Sequence, residues 1–121
     1  MIYALMKGIL ALSADQRSQN AGVLKIQGSV DASTIKPFEA AFQRFQEAGV
    51  RTIVLDMALM EYINSAGLSL IIKAKTECAK HKGDVILVRP QTPILNILKM
   101  MGLTDLFRVA SSVEEALYPP D

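Results

Sequence analysis

The chain has 121 residues, half of them hydrophobic, and thirteen Lys and Arg against twelve Asp and Glu leave a formal charge of +1. That length supports one compact domain, since domains run about 100–200 residues, and the near-neutral balance excludes a global field drawing it to nucleic acid or anionic lipid. A single cysteine, Cys78, and a single histidine, His81, exclude an internal disulfide framework and a Cys/His zinc cage.

Met1 to Leu12 is apolar, but Lys7 interrupts it and no basic stretch precedes it, so a buried strand is expected rather than a signal peptide. No apolar run reaches the roughly 18–20 residues a membrane span needs, and a cytoplasmic protein without membrane contact is expected. Strands are predicted at Ile9–Leu12 and Val23–Gly28, around a polar loop, Asp15–Gly22. From Thr34 to Ala48, Ile35, Phe38, Phe42 and Phe45 recur at helical spacing, and Gly49 supplies a stop.

Thr52–Leu55 is a continuous apolar run, which suits a strand covered on both faces. A turn is expected through Asp56–Ile63. After Asn64 a second helix follows, with Leu70, Ile71, Ala74 and Cys78 inward and Lys73, Lys75, Glu77, Lys80 and Lys82 solvated, ending at Gly83. Val85–Val88 is another buried strand, closed by Pro90. In the third helix Thr92 is the expected cap and Pro93 the first helical residue, Ile94, Ile97, Leu98 and Met101 face inward, and Gly102 follows the last turn. Leu106–Val109 reads as a short edge strand. Ser111 with Glu114, or Ser112 with Glu115, has the capping-box spacing for a last helix, and Pro119–Asp121 should fray.

Strands separated by helices predict an α/β domain with a mixed, largely parallel sheet. Its seven glycines form no dinucleotide fingerprint, phosphate-cradling loop or nucleophile elbow. His81, near a helix end, reads as a solvated or dipole-favoured residue, and Cys78 as a buried structural thiol. The carboxylates Asp15, Asp31, Asp56, Glu61, Asp84 and Asp105 read as turn formers, caps or solvated charges, and Met57, Met60, Met100 and Met101 chiefly as core filling. No catalytic residue, metal or cofactor is expected.

One segment differs, Asp56 to Leu68, which joins a buried strand to an amphipathic helix. Asn64 is a favourable N-cap, placing Ser65 at the first turn with its hydroxyl outward. Ala66 and Gly67 would admit a close backbone, and Tyr62, Ile63 and Leu68 offer apolar contact. From these residues alone, a plain helix start in which Asn64 and Ser65 only cap is the preferred reading.

Leu55-Asp56 followed by Tyr62-Ile63-Asn64-Ser65-Ala66-Gly67-Leu68 resembles the signature of STAS domains of the anti-anti-sigma factor type, a strand ending in Asp, a short loop and Asp-Ser-Ser/Thr/Ala-Gly-Leu. Gln27-Gly28-Ser29-Val30-Asp31 is similar to that family's loop after the second strand, Gly102-Leu103-Thr104-Asp105-Leu106-Phe107 to its Gly-Leu-x-x-Leu-Phe segment, and Val113-Glu114-Glu115-Ala116-Leu117 to its final helix. The resemblance spans about residues 9–118 of a single domain, 1–121, and implies a STAS fold, a mixed four- to five-stranded sheet packed with about four helices.

It further implies an anti-sigma factor antagonist. In that family a partner that is both anti-sigma factor and serine kinase phosphorylates the serine of the motif, and a PP2C-type phosphatase reverses it. Carried onto this sequence, the acceptor is Ser65, and the partner-binding residues are Asp31, Ser33, Asn64, Ser65, Ala66, Gly67 and Leu68. Asn64 departs from the usual Asp but preserves the cap. A monomer or weak dimer is expected. The alternatives are a STAS scaffold or accessory subunit of a signalling complex or membrane transporter without a phosphorylation switch, or a small enzyme or ligand-binding protein using a pocket near Asp31 and Asn64.

Overall fold

The computed structural model describes residues 2–7, 10–16 and 20–119. Its order is β1 (Ile2–Lys7), β2 (Leu10–Gln16), β3 (Ala21–Val30), α1 (Ile35–Glu47), β4 (Thr52–Ile63), α2 (Ser65–Lys80), β5 (Val85–Val88), α3 (Thr92–Met100), β6 (Arg108–Ala110) and α4 (Val113–Leu117). The strands form one mixed sheet in the order β1-β2-β3-β4-β5-β6. β2 runs antiparallel to both of its neighbours, β1 and β3, and β3, β4, β5 and β6 run parallel. Each parallel step moves the same way along the sheet, so crossovers of one hand leave successive helices on one face.

Side-chain alternation sorts the core into two layers. Leu10, Leu12, Leu24, Ile26, Ile53, Leu55, Val85 and Leu87 point to the face covered by α1, α2 and α3, where they meet Phe38, Phe42, Phe45, Ile71, Ile94 and Leu98. Phe38 and Phe42 stack edge to face at 5.0 Å. Val23, Val54, Ile86, Val88 and Ala110 point the other way, under Ala116, Val113 and Leu117 of α4. The central strands are thus apolar on both sides, which is why β4 begins and β5 runs as unbroken apolar stretches.

Several expectations are corrected. The apolar start contains two paired strands rather than one, with Lys7 opposite Leu10; the expected strand's first residue, Ile9, and the tail residues Pro120 and Asp121 lie outside the described residues. The expected turn over Asp56–Ile63 is strand, because β4 keeps pairing with β3 as far as Val30 opposite Ile63. Gln91, not Thr92, is the N-cap of α3. The edge strand is Arg108–Ala110, and Leu106 and Met101 are substantially exposed. Lys75 is half-buried instead of solvated; its Nζ lies 2.5 Å from Asp84 and 5.7 Å from the Phe107 ring centroid. Of the methionines, Met57 and Met60 are core residues, while Met100 and Met101 face solvent.

The ends of the elements are fixed by local chemistry. Ser112 accepts a hydrogen bond from the Glu115 N–H at 3.0 Å, half of the expected capping box. At Gly83 a Cβ would lie 1.7 Å from the Arg51 carbonyl oxygen, so only glycine passes between the end of α2 and the approach to β4. Because β3, β4 and β5 are parallel, their C-terminal ends share one edge of the domain, and α1, α2 and α3 begin there.

Candidate functional site

At that edge Val30 of β3 pairs with Ile63 of β4, and the next peptide group extends the contact, the Asn64 N–H donating to the Val30 carbonyl at 2.9 Å. The loop after β3 and the start of α2 are thereby tied together. Asn64 is the N-cap of α2, and its side-chain oxygen accepts from the Gly67 N–H at 2.8 Å. Ser65 and Ala66 follow as the first helical residues, and both are exposed. No acidic residue stands in the first turn of α2.

Gly67 and Leu68 turn inward. Both are buried, and a Cβ on Gly67 would sit 2.7 Å from Ile63 Cγ1 and 2.9 Å from Val30 Cγ1. The close approach that the glycine permits is internal: it seats the first turn of α2 on the ends of β3 and β4. Leu68 packs into the main core. These two residues hold the platform on which Ser65 and Ala66 stand.

The loop after β3 is equally organised. The Asp31 carboxylate accepts from the Ser33 N–H at 2.9 Å and from the Ser33 hydroxyl at 2.6 Å. Those bonds, the hydroxyl's first, hold the Asp31 carboxyl below its usual range, because they favour the ionised form. Ser33 is exposed and Asp31 partly so. Beneath them Thr34 is fully buried; its hydroxyl accepts from the Asp31 N–H and donates to the Ser29 carbonyl, both at 2.9 Å. Sequence reading passed over Thr34, and the signal was a hydroxyl three residues after Asp31, the spacing of a side-chain-closed turn.

The arrangement presents an exposed hydroxyl at a helix N-terminus beside a loop carrying an ionised carboxylate. Among the described residues no three His, Cys, Asp or Glu side chains are grouped to hold a metal ion. Cys78 is buried, and burial, then the charges of Asp84 and Glu77, push its thiol up, away from nucleophile chemistry. His81 is the exposed C-cap residue of α2. A cavity of about 430 Å³ lies between the ends of α1 and α2 and the approach to β4, lined by Gln46, Gly49, Val50, Arg51, Glu77, Cys78 and His81, none of them in the Asp31 or Asn64 loops. No helix among the described residues is long and apolar enough to cross a membrane.

A sequential sheet, antiparallel then parallel, with helices starting at one edge and a Ser-Ala-Gly-Leu turn at the head of the second, defines an α/β domain of the STAS architecture. The STAS domain family matches residues 13–116, and the chain belongs to that family. BtrV of Bordetella bronchiseptica, named as an anti-sigma factor antagonist, is 28% identical over 91 residues, covering 75% of this chain and 78% of BtrV. The unphosphorylated form of the anti-sigma factor antagonist SpoIIAA superposes with a TM-score of 0.74 at 20% identity, over 88% of this chain and 92% of that one. The phosphorylated Bacillus SpoIIAA gives 0.68 at 22%, over 88% and 96%. An anti-sigma factor antagonist from Mycobacterium paratuberculosis gives 0.73 at 19%, over 97% and 92%.

Proposed function

We propose that this STAS domain is an anti-sigma factor antagonist whose unmodified form binds an anti-sigma factor and whose phosphorylation at Ser65 releases it. The partner doubles as the serine kinase, a PP2C-type phosphatase resets the switch, and the exchange takes place in the cytoplasm without catalysis by this chain. The observation that carries the reading is the exposed Ser65 at the head of α2 on a buried Gly67–Leu68 platform. BtrV's name and the likeness in fold to SpoIIAA support it.

The mechanism follows from charge. Phosphoserine carries about −1.5 to −2 charge and three acceptor oxygens, which the helix dipole and the unbonded N–H groups of the first turn accommodate. The domain keeps its fold. A partner seated on Asp31, Ser33, Asn64, Ser65 and Ala66 instead meets a solvated dianion that it must desolvate or leave. Asn64 keeps the cap that Asp would provide, so the platform for the hydroxyl is preserved.

The experiment incubates the full chain with the partner kinase and ATP, locates phosphate in the Ser65 peptide by mass spectrometry, and measures partner affinity for the wild type, Ser65→Ala and Ser65→Glu. Ser65→Ala should bind like the wild type and Ser65→Glu roughly a hundredfold more weakly, the order expected when a charge is desolvated without a counterion. Equal affinities for all three refute the switch.

A further inference from the structure

β4 is longer than the strand it pairs with. Between Lys25 opposite Asp56 and Val30 opposite Ile63, β3 advances five residues and β4 seven. The register slips once between Lys25 and Gln27 and again between Gly28 and Ser29. At the first slip two residues, Met57 and Ala58, face the single Ile26, and on the other side the pairing with β5 has ended at Asp56 opposite Val88. Bulged residues lose ladder partners, and peptide groups left without partners are costly unless something else satisfies them.

Two side chains do so. The Asp56 carboxylate accepts from the Ala58 N–H at 3.3 Å, and the Gln91 side-chain amide donates to the Ala58 carbonyl at 2.7 Å. Gln91 is the N-cap of α3, yet its side chain makes no capping bond to its own helix and is committed to β4. Asp56 is buried to 8% exposure, with the Arg89 guanidinium 3.7 Å away. Arg89 holds a φ of +50°, in the left-handed region, and donates its N–H to the Ala110 carbonyl at 3.1 Å. The loop between β5 and α3 thus adopts a strained conformation and sets both a cation and an amide against the bulge.

We propose that Asp56 and Gln91 are positioning residues for the Ser65 site: by holding both main-chain polar groups of Ala58, its N–H and its carbonyl, they fix how far β4 runs, and so where Asn64 and Ser65 are presented. The proposal rests on reading Ser65 as the docking and modification site. Neither residue touches the partner in this account. Each acts through the bulge on the bond from Asn64 to Val30 and on the cap from Asn64 to Gly67.

The test uses the full chain and two readouts. Gln91→Glu keeps the side chain's shape but turns an acceptor oxygen toward the Ala58 carbonyl; Asp56→Ala removes the acceptor, and Asp56→Asn retains one. Amide exchange by NMR at Asn64 and Gly67 should quicken about five- to tenfold in Gln91→Glu and Asp56→Ala, the factor for one lost hydrogen bond. It should stay near wild type in Asp56→Asn, with β2 and β5 amides unchanged in Gln91→Glu. Partner affinity of the unmodified Gln91→Glu protein should fall by a similar factor. Unchanged exchange at Asn64 and Gly67 in Gln91→Glu overturns the proposal, as does acceleration spread evenly over the sheet. Should Ser65→Glu bind the partner as wild type does while the exchange pattern appears as expected, the docking reading fails and the clamp stands. Should Ser65→Glu lose binding while Gln91→Glu changes neither readout, the clamp fails and the docking reading stands.

Discussion

Replacing Gly67 by alanine sets two effects of known sign against each other. Alanine in place of glycine favours a helix by up to about 1 kcal/mol, and by less in the first turn. Against this, the new methyl would stand 2.7 Å from Ile63 Cγ1 and 2.9 Å from Val30 Cγ1, both inside ordinary carbon contact. Val30 and Ile63 are buried and hydrogen-bonded into adjacent strands, so α2 must lift or the strand ends must part, and overpacking of that kind costs about 1–3 kcal/mol. The net expectation is a loss of about 1–2 kcal/mol, which lowers the urea midpoint by roughly 1 M for a small domain. The attribution is checked in the Ile63→Ala background, where the shortest of these contacts is removed and the penalty of Gly67→Ala should shrink by about 1 kcal/mol, a coupling a double-mutant cycle resolves. Equal or greater stability of Gly67→Ala in the wild-type background would show that the helix start is not seated on these side chains, and the account of the platform would fail.

Other consequences can be measured independently. Asn64→Ala removes the acceptor for the Gly67 N–H and should cost about 1 kcal/mol, or roughly 5 °C in melting temperature, whereas Asn64→Asp keeps the cap and should stay within a few tenths of a kcal/mol; calorimetry separates the two. Asp31 has a depressed pKa in the fold, so its stabilisation is present above its unfolded value, near 3.8, and is lost as the pH falls through the lower folded value. An NMR titration should place the Asp31 midpoint below 3.8 in the wild type and move it upward in Ser33→Ala. The buried Cys78 thiol should react with a disulfide reagent at pH 8 far more slowly in the native protein than in urea, and equal rates would contradict its placement.

Much of the fold was legible because the chain states it in simple periods. Phe38, Phe42 and Phe45 lie one helical turn apart and all are buried in α1. Val85–Val88 is apolar throughout because both its faces are covered. The second half of β4 was not legible, and its bulges explain why. Each extra residue stretches the strand's period of two to three, so the buried positions fall at Met57, Met60 and Ile63, a spacing foreign to a regular strand. Gln91 escaped notice for a related reason, since the need for an amide donor arises only once Ala58 has lost its ladder partner. At the site, the cap by Asn64 and the outward Ser65 follow from local chemistry. The inward turn of Gly67 and Leu68 depends on where β3 ends, a long-range fact that no local pattern carries.

The strand order has a consequence for assembly. Since every strand lies beside its neighbour in the chain, the sheet can be laid down in the direction of synthesis, each parallel addition closing only the one helix-bearing crossover that precedes it. The seam between Val30 and Asn64 can close before β5 exists. The amide of Gln91 reaches the strand it braces only after two further elements have emerged, so a nascent domain displays its serine in a looser setting than the finished one.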